Sequence, residues 1–394
     1  MVNLFKFVLF YFLLWPVSKL TRRKEENASW VIGGHAGRAY ADNSATLHKY
    51  IVQHTSQPIT WITNSKLVFE QLQARQVKVL MRDSIQARMA ILSAPVLIRS
   101  HGYADLDRYL GRLVKPEGLI IHLNHCMNHL KAGQMYSPLV ERMTQKQKAK
   151  VQRKIFEFDY LLASSSLEQR NFRLSIPFKS DRIVLGGGAH LDDLNLHRDQ
   201  PASQQLLYFP TFRDKEIKPE KTVDEIVQEL VTNLELKTWL KESGYKLVIC
   251  SHINSKTRLD VSDWDDVFQL IGIEELTDAL ARCDLLISDY SGTIIDALYM
   301  DKPVLFFPFD LEPYLACRHL YVNYDEFAFG DVVKSTNELV DNLVTLKWQD
   351  GSAYKDIRSR HSKEMFSRND SSYSEQSYRM ICDLRDGEKP GTAH

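Results

Sequence analysis

Short apolar runs recur along this chain, each followed by a longer stretch whose apolar positions fall three or four residues apart. Trp30–Gly33 (WVIG) precedes a helical pattern over Asn43–Gln53, and Ile59–Thr63 alternates as a strand ahead of a helical Lys66–Arg75. Val77–Met81 reads as a strand before a helical Ser84–Ser93, and Val96–Arg99 and Gly118–Leu123 read as further buried strands. The second half repeats the scheme. Leu206–Phe209, Lys246–Cys250, Asp284–Ser288 and Pro303–Phe307 are strand-like, with helical patterns over Val223–Leu240, Ile273–Ala281 and Thr293–Met300. Asp159–Ala163 and Arg182–Leu185 are two more short strands near the junction. Strands alternating with helical patterns of roughly 10–15 residues predict βαβ units and parallel sheets. The expected fold is therefore α/β, with two Rossmann-like lobes facing a cleft. The expected division places one lobe at 27–180 and the other at 181–394. Ligands of such sheets bind beyond the carboxyl ends of the strands, which puts the chemistry in the loops that line the cleft.

Ahead of the first strand the pattern changes. Leu4–Val17 reads LFKFVLFYFLLWPV, and Lys19, Arg22, Arg23 and Lys24 follow. A spanning helix needs roughly 20 apolar residues, and this run is shorter. No small-residue cleavage site follows it, as a signal peptide requires. Aromatic bulk beside a basic cluster suits a helix lying in the membrane interface, so residues 1–26 are expected to associate with a membrane. A short spanning anchor and a helix packed on protein are the alternatives. In either membrane-bound case the basic flank keeps the globular part at the cytoplasmic face.

Composition narrows the function classes. Lys plus Arg and Asp plus Glu are 50 each, so no net charge favours nucleic acid, and no nucleic-acid partner is expected. The five cysteines are odd in number and none forms a C-x-x-C pair, which argues against a disulfide framework or a structural zinc site.

Four loops at strand ends carry candidate chemistry. Asp289-Tyr290-Ser291-Gly292-Thr293 lies between a strand and a helix, where hydroxyls, backbone N–H groups and the positive end of a helix make a phosphate cradle. The same residues also suit a plain N-cap. Asp296, one turn on, is placed to accept from a ribose or polyol hydroxyl. Thr211 and Arg213 follow another strand and offer a hydroxyl and a charged fork suited to pyrophosphate. A surface pair of Arg213 with Asp214 or Glu216 is the alternative. Ser251-His252 follows a third strand, and Asn124-His125-Cys126-Met127-Asn128-His129-Leu130-Lys131 a fourth. Two histidines, one from each lobe, suit a general base and a phosphate ligand. His125, Cys126 and His129 lack a second cluster to complete a zinc site, so no metal is expected.

Leu285–Tyr314 and the following RHLYVNYDEFAF at Arg318–Phe329 resemble the C-terminal signature of the CDP-glycerol glycerophosphotransferases of teichoic-acid-type polymer synthesis. YFPTFRD resembles the family's P-T-W-R-D segment, ICSH its strand ending in histidine, and the glycine-rich Gly33–Asn43 its first loop with Y-x-D-N. The likeness runs from about Trp30 to Val333. It implies a GT-B arrangement, a CDP-glycerol or related CDP-polyol donor as substrate with no cofactor, and a lipid-linked glycan acceptor. It places His125 at the proposed catalytic base and His252 at a second important histidine. Thr211, Arg213, Ser251, Ser291, Gly292 and Asp296 fall at donor-contact positions, and Asp289 and Thr293 of the cradle loop are substrate-binding candidates beside them. Two motifs depart. The family's W-H-G-T-P-L-K has become Asn124–Lys131, which keeps the histidine and loses the Gly-Thr-Pro turn. The family's G-x-P-R-x-D appears as Gly186–Asp192 without its arginine, which puts Gly188 and His190 at substrate-binding positions.

The expected reaction is direct, metal-independent transfer of a polyol phosphate, with release of CMP and with phosphate charge held by Ser291–Thr293 and Arg213. A nucleotide-sugar glycosyltransferase and a catalytically idle glycan-binding relative are the competing readings.

Overall fold

The computed structural model describes residues 28–108, 117–125, 127, 129–133, 135–155, 158–213, 216–250, 261, 264–366 and 372–388. Two parallel sheets organise them. The first has the order β3-β2-β1-β4-β5-β6-β7. Its strands are β1 (Trp30–Gly33), β2 (Ile59–Thr63), β3 (Val79–Met81), β4 (Val96–Arg99), β5 (Leu119–His122), β6 (Tyr160–Ala163) and β7 (Ile183–Leu185). The second has the order β10-β9-β8-β11-β12. It contains β8 (Gln205–Tyr208), β9 (Lys246–Cys250), β10 (Phe268–Ile271), β11 (Leu285–Ser288) and β12 (Val304–Phe306). β1, β2, β4 and β11 are buried along their whole length, as continuous apolar strands covered on both faces must be.

Both sheets start in the middle and grow outward in two directions. In the first, β2 and β3 lie on one side of β1 and β4 on the other; in the second, β8 stands between β9 and β11. Each therefore has a switch point, β1/β4 and β8/β11, where the loops diverge and leave a crevice. Helix α1 (Asp42–His54) follows β1, α2 (His190–Leu196) follows β7, and α3 (Thr293–Tyr299) follows β11.

Four features differ from the sequence expectation. β7 pairs with β6, so the boundary between sheets falls after Leu185 rather than at 180/181. The final helix α4 (Tyr373–Arg385) returns to the first lobe, where Tyr378 lies 5.6 Å from Trp30 and Ile381 joins the same core. The tail from Lys334 thus contributes to a core that its own polar sequence does not advertise. The expected helix Val223–Leu240 is two, Val223–Thr232 and Leu234–Ser243. Extended Asn233 divides them, its side chain accepting from the Leu236 N–H as an N-cap. β10 escaped notice because its two central residues are exposed and polar or isolated, so no apolar run marks it.

The N-terminal segment expected to meet a membrane lies outside the described residues. Among those described, no helix is long and apolar enough to cross a membrane.

Candidate active site

The loops of both switch points open onto one cavity of about 470 Å³. From the first lobe it takes His35, Arg38, Asp42, His101, His125 and Lys131; from the second it takes Thr211, Ser291, Gly292, Thr293, Asp296 and Arg318. His190 lines it as well, on the helix between the two sheets.

On the first-lobe side three imidazoles stand in a row. His35 follows β1, His101 follows β4 and His125 follows β5, and these three strands are neighbours in that order. Parallel strands lie about 4.8 Å apart, so equivalent loop positions present their side chains at that spacing. The ring centroids are 4.5 Å apart from His35 to His101 and 4.3 Å from His101 to His125, the latter pair stacked. The row is an outcome of strand order.

Asp105 ties the two loops of this switch point together. Its buried carboxylate accepts from the N–H groups of Ala36 at 2.6 Å, Ser100 at 2.9 Å and His101 at 2.7 Å. Gly33 makes the approach possible, because a Cβ there would stand 2.5 Å from the Asp105 carbonyl oxygen. His35, Ala36, Asp42 and Asn124, all at this end of the sheet, have φ between 50° and 61°. Non-glycine residues adopt that left-handed region at a cost of roughly 1–2 kcal/mol each, and such strain gathers at functional sites.

The row is electrically graded. His101 Nδ1 accepts from the His35 backbone N–H at 3.3 Å, which fixes that nitrogen as bare. Burial, then the neighbouring His125 and His35, hold the His101 pKa well below the ordinary value. His35 Nε2 lies 2.5 Å from Asp42. Burial opposes charge on His35, but the Asp42 carboxylate and its hydrogen bond outweigh it and raise the pKa. Asp42 is depressed in turn: burial opposes this, and His35, His125 and His190 overcome it. His129 does not join the row. It is buried, and burial followed by His361 pushes its pKa down to about 3.

The second-lobe side rests on a different device. Asp289, Arg213 and Asp310 form a buried cluster beside the cavity. Arg213 bonds Asp310 through Nε and Nη2, each at 2.7 Å, Asp289 through Nη2 at 2.7 Å, and the Thr211 carbonyl through Nη1 at 2.5 Å. The rings of Tyr290, Phe309 and Tyr314 surround it, with its Cζ between 5.1 and 5.7 Å of each centroid. Arg213 is not among the residues lining the cavity. Four of its five N–H groups are engaged by protein, so in this structure the guanidinium supports the wall, and no pyrophosphate contact of the kind expected of it is seen. Asp289 is likewise buried and structural, accepting the Thr211 and Tyr290 N–H groups.

What reaches the cavity here is hydroxyl chemistry. Thr211 Oγ1 is buried with no hydrogen-bond partner among the described residues. Ser291 Oγ lies 3.3 Å from Thr293 Oγ1 and receives the Thr293 N–H. The next two N–H groups are satisfied locally, Ile294 by the Ser291 carbonyl and Ile295 by that of Gly292. The start of α3 therefore offers hydroxyls and the positive end of a seven-residue helix rather than a row of open amides.

Gly188 does not line the cavity; φ of +88° and a Cβ position 2.9 Å from Ser164 make it the turn that launches α2 and its His190. Ser251 and His252 lie outside the described residues, two positions at most beyond the end of β9. The sequence reading missed His35, Asp42 and His101 as site residues. The signal was present, since each follows a strand's carboxyl end as His125 does, but only strand order shows that β1, β4 and β5 are neighbours.

A cleft that joins a row of imidazoles to a hydroxyl-rich helix start suits a two-lobed transferase acting on a phosphate-linked donor. The profile of the CDP-Glycerol:Poly(glycerophosphate) glycerophosphotransferases matches residues 19–383, and the chain belongs to that family. Along most of its length it is similar to the teichoic acid glycerol-phosphate transferase of Staphylococcus aureus (strain NCTC 8325 / PS 47), with 22% identity over 89% of this chain and 88% of the relative. It is also similar to the teichoic acid glycerol-phosphate primase of Bacillus subtilis (strain 168), with 26% identity over 52% of this chain and 55% of that one. Among solved structures, the wall teichoic acid polymerase TagF shares the fold, with a TM-score of 0.68, 18% identity, and coverage of 98% of this chain and 99% of that one.

Proposed function

We propose that this glycerophosphotransferase moves glycerol phosphate, or a similar polyol phosphate, from a CDP-activated donor to a hydroxyl of a membrane-linked polymer and releases CMP. His125 takes the proton of the acceptor hydroxyl as the oxygen attacks the β-phosphorus. The bond from that phosphorus to the bridging oxygen breaks, and the electron pair leaves with CMP. Thr211, Ser291 and Thr293 hold the donor's phosphate oxygens. With Arg213 consumed by carboxylates, Arg38, Lys131 and Arg318 bring positive charge to the cavity. His252, two residues beyond β9 in the sequence, is assigned to the phosphoryl oxygens. The observation that carries this reading is the single cavity in which the first-lobe histidine row meets the hydroxyl-bearing start of α3.

The N-terminal segment holds the catalytic lobes at the cytoplasmic face of the membrane, where a lipid-linked acceptor presents its hydroxyl. The test is CMP release by the full chain on vesicles carrying a poly(glycerol phosphate) acceptor, supplied with CDP-glycerol, CDP-ribitol or a UDP-sugar. Turnover with a CDP-polyol and transfer of label to the polymer are expected. Turnover with the UDP-sugar alone contradicts the proposal.

A further inference from the structure

His190 touches both lobes, and its surroundings fix its protonation. Asn43, in the first turn of α1, donates its amide Nδ2 to the Asn124 carbonyl at 3.2 Å and accepts the His190 backbone N–H on Oδ1 at 2.9 Å. Those two contacts set the orientation of the amide, so Oδ1 is the atom that faces His190 Nδ1 at 2.8 Å. An amide oxygen only accepts, hence Nδ1 carries a proton. At the other edge of the ring, Nε2 lies 2.9 Å from Asp296 Oδ1 in the first turn of α3. A carboxylate also only accepts, so Nε2 carries a second proton. The ring is an imidazolium held between two acceptors, one from each lobe.

The charges around it agree. Asp296 faces it from α3, Asp42 from α1 and Glu168 from the helix Ser166–Ser175. On its own helix, Asp193 pairs with Lys49 at 2.9 Å, and Asp192 caps the start of α4 through the Tyr373 and Ser374 N–H groups. Burial opposes the charge, but Asp296, Asp42 and Glu168 together raise the pKa above the ordinary 6.5.

We propose that His190 is a positioning residue that, in its doubly protonated form, fastens α1 of the first lobe to α3 of the second and aims Asp296 at the donor. It acts through Asn43 and Asp296 rather than on the reacting atoms. Loss of one proton removes either the Asn43 or the Asp296 contact and loosens the meeting of the two walls. Because the folded pKa is raised, the fastening is complete below pH 6.5 and is lost as pH rises through the raised value. The assignment rests on the transferase reading of the cleft.

Two readouts on the full chain test it. The first is a ring-nitrogen NMR titration of histidine-labelled protein. A ring with both nitrogens protonated at pH 7 is expected, absent in His190→Gln, titrating above pH 6.5 and shifted downward by Asp296→Asn. The second is kcat for CMP release from CDP-glycerol between pH 6 and 9. The wild type loses kcat along that same titration; His190→Gln has at least about tenfold lower kcat at pH 7 and lacks that limb. Melting temperatures check that the variants are folded. A neutral His190 ring at pH 7, or an alkaline limb unchanged in His190→Gln, overturns the proposal. A two-proton ring in a protein that never releases CMP upholds the imidazolium and overturns the transferase reading instead.

Discussion

The two walls of the cleft hold charge in opposite ways. On the second-lobe side the half-buried Arg213 lies between the buried Asp289 and Asp310, with aromatic rings around the guanidinium. Its charge is permanent and most of its donors are taken by protein, so this cluster does not change near neutral pH. On the first-lobe side stand imidazoles, with Asp42 against His35, a backbone N–H on His101 and Asp296 against His190. The wall proposed to present hydroxyls to the donor is built from fixed charge. The other wall is built from imidazoles, as the proposed uptake of a proton in each turnover requires.

Breaking the fixed wall has the largest expected effect. Arg213→Ala leaves two buried carboxylates facing each other without their cation, at a cost of about 3–5 kcal/mol. Urea unfolding measures it, and a change under 1 kcal/mol shows that the cluster is not the support described. Next comes the clasp beneath the titratable wall. Asp105→Ala strips the acceptor from the Ala36, Ser100 and His101 N–H groups and costs about 2–3 kcal/mol, with loss of the 4.5 Å His35–His101 ring contact. A smaller effect separates the walls by pH. Asp42 is depressed and His35 raised, so their bond is complete where Asp42 is ionised and His35 protonated. Relative to Asp42→Asn, the wild type gains about 1–2 kcal/mol at pH 6. That gain shrinks as pH rises through the raised His35 value and, at the acid end, as pH falls through the depressed Asp42 value. A pH-independent difference between the two proteins contradicts the pairing.

The walls also differ in how legible they were in the sequence. Asp289-Tyr290-Ser291-Gly292-Thr293 announces itself, because a buried strand, small and hydroxyl residues and a helix follow in consecutive positions. β1, β2, β4 and β9 could be read from apolar runs for the same local reason. The histidine row could not, since His35, His101 and His125 are brought together by the order β1-β4-β5, which is decided by sheet assembly rather than by any window of sequence. The surroundings of Arg213 were hidden for a related reason. Its partner Asp310 lies 97 residues away, and without it a charged fork at a strand end looks like a phosphate ligand. The return of α4 to Trp30 is long-range in the same sense.

The most direct test of the cleft as a transferase site is His125→Ala, with turnover and CDP-glycerol affinity measured side by side. The account predicts that CMP release falls by roughly 10²–10⁴, the usual contribution of a general base, while calorimetric affinity for the donor stays within about threefold and the melting temperature is unchanged. Undiminished CMP release by a folded His125→Ala protein would contradict it.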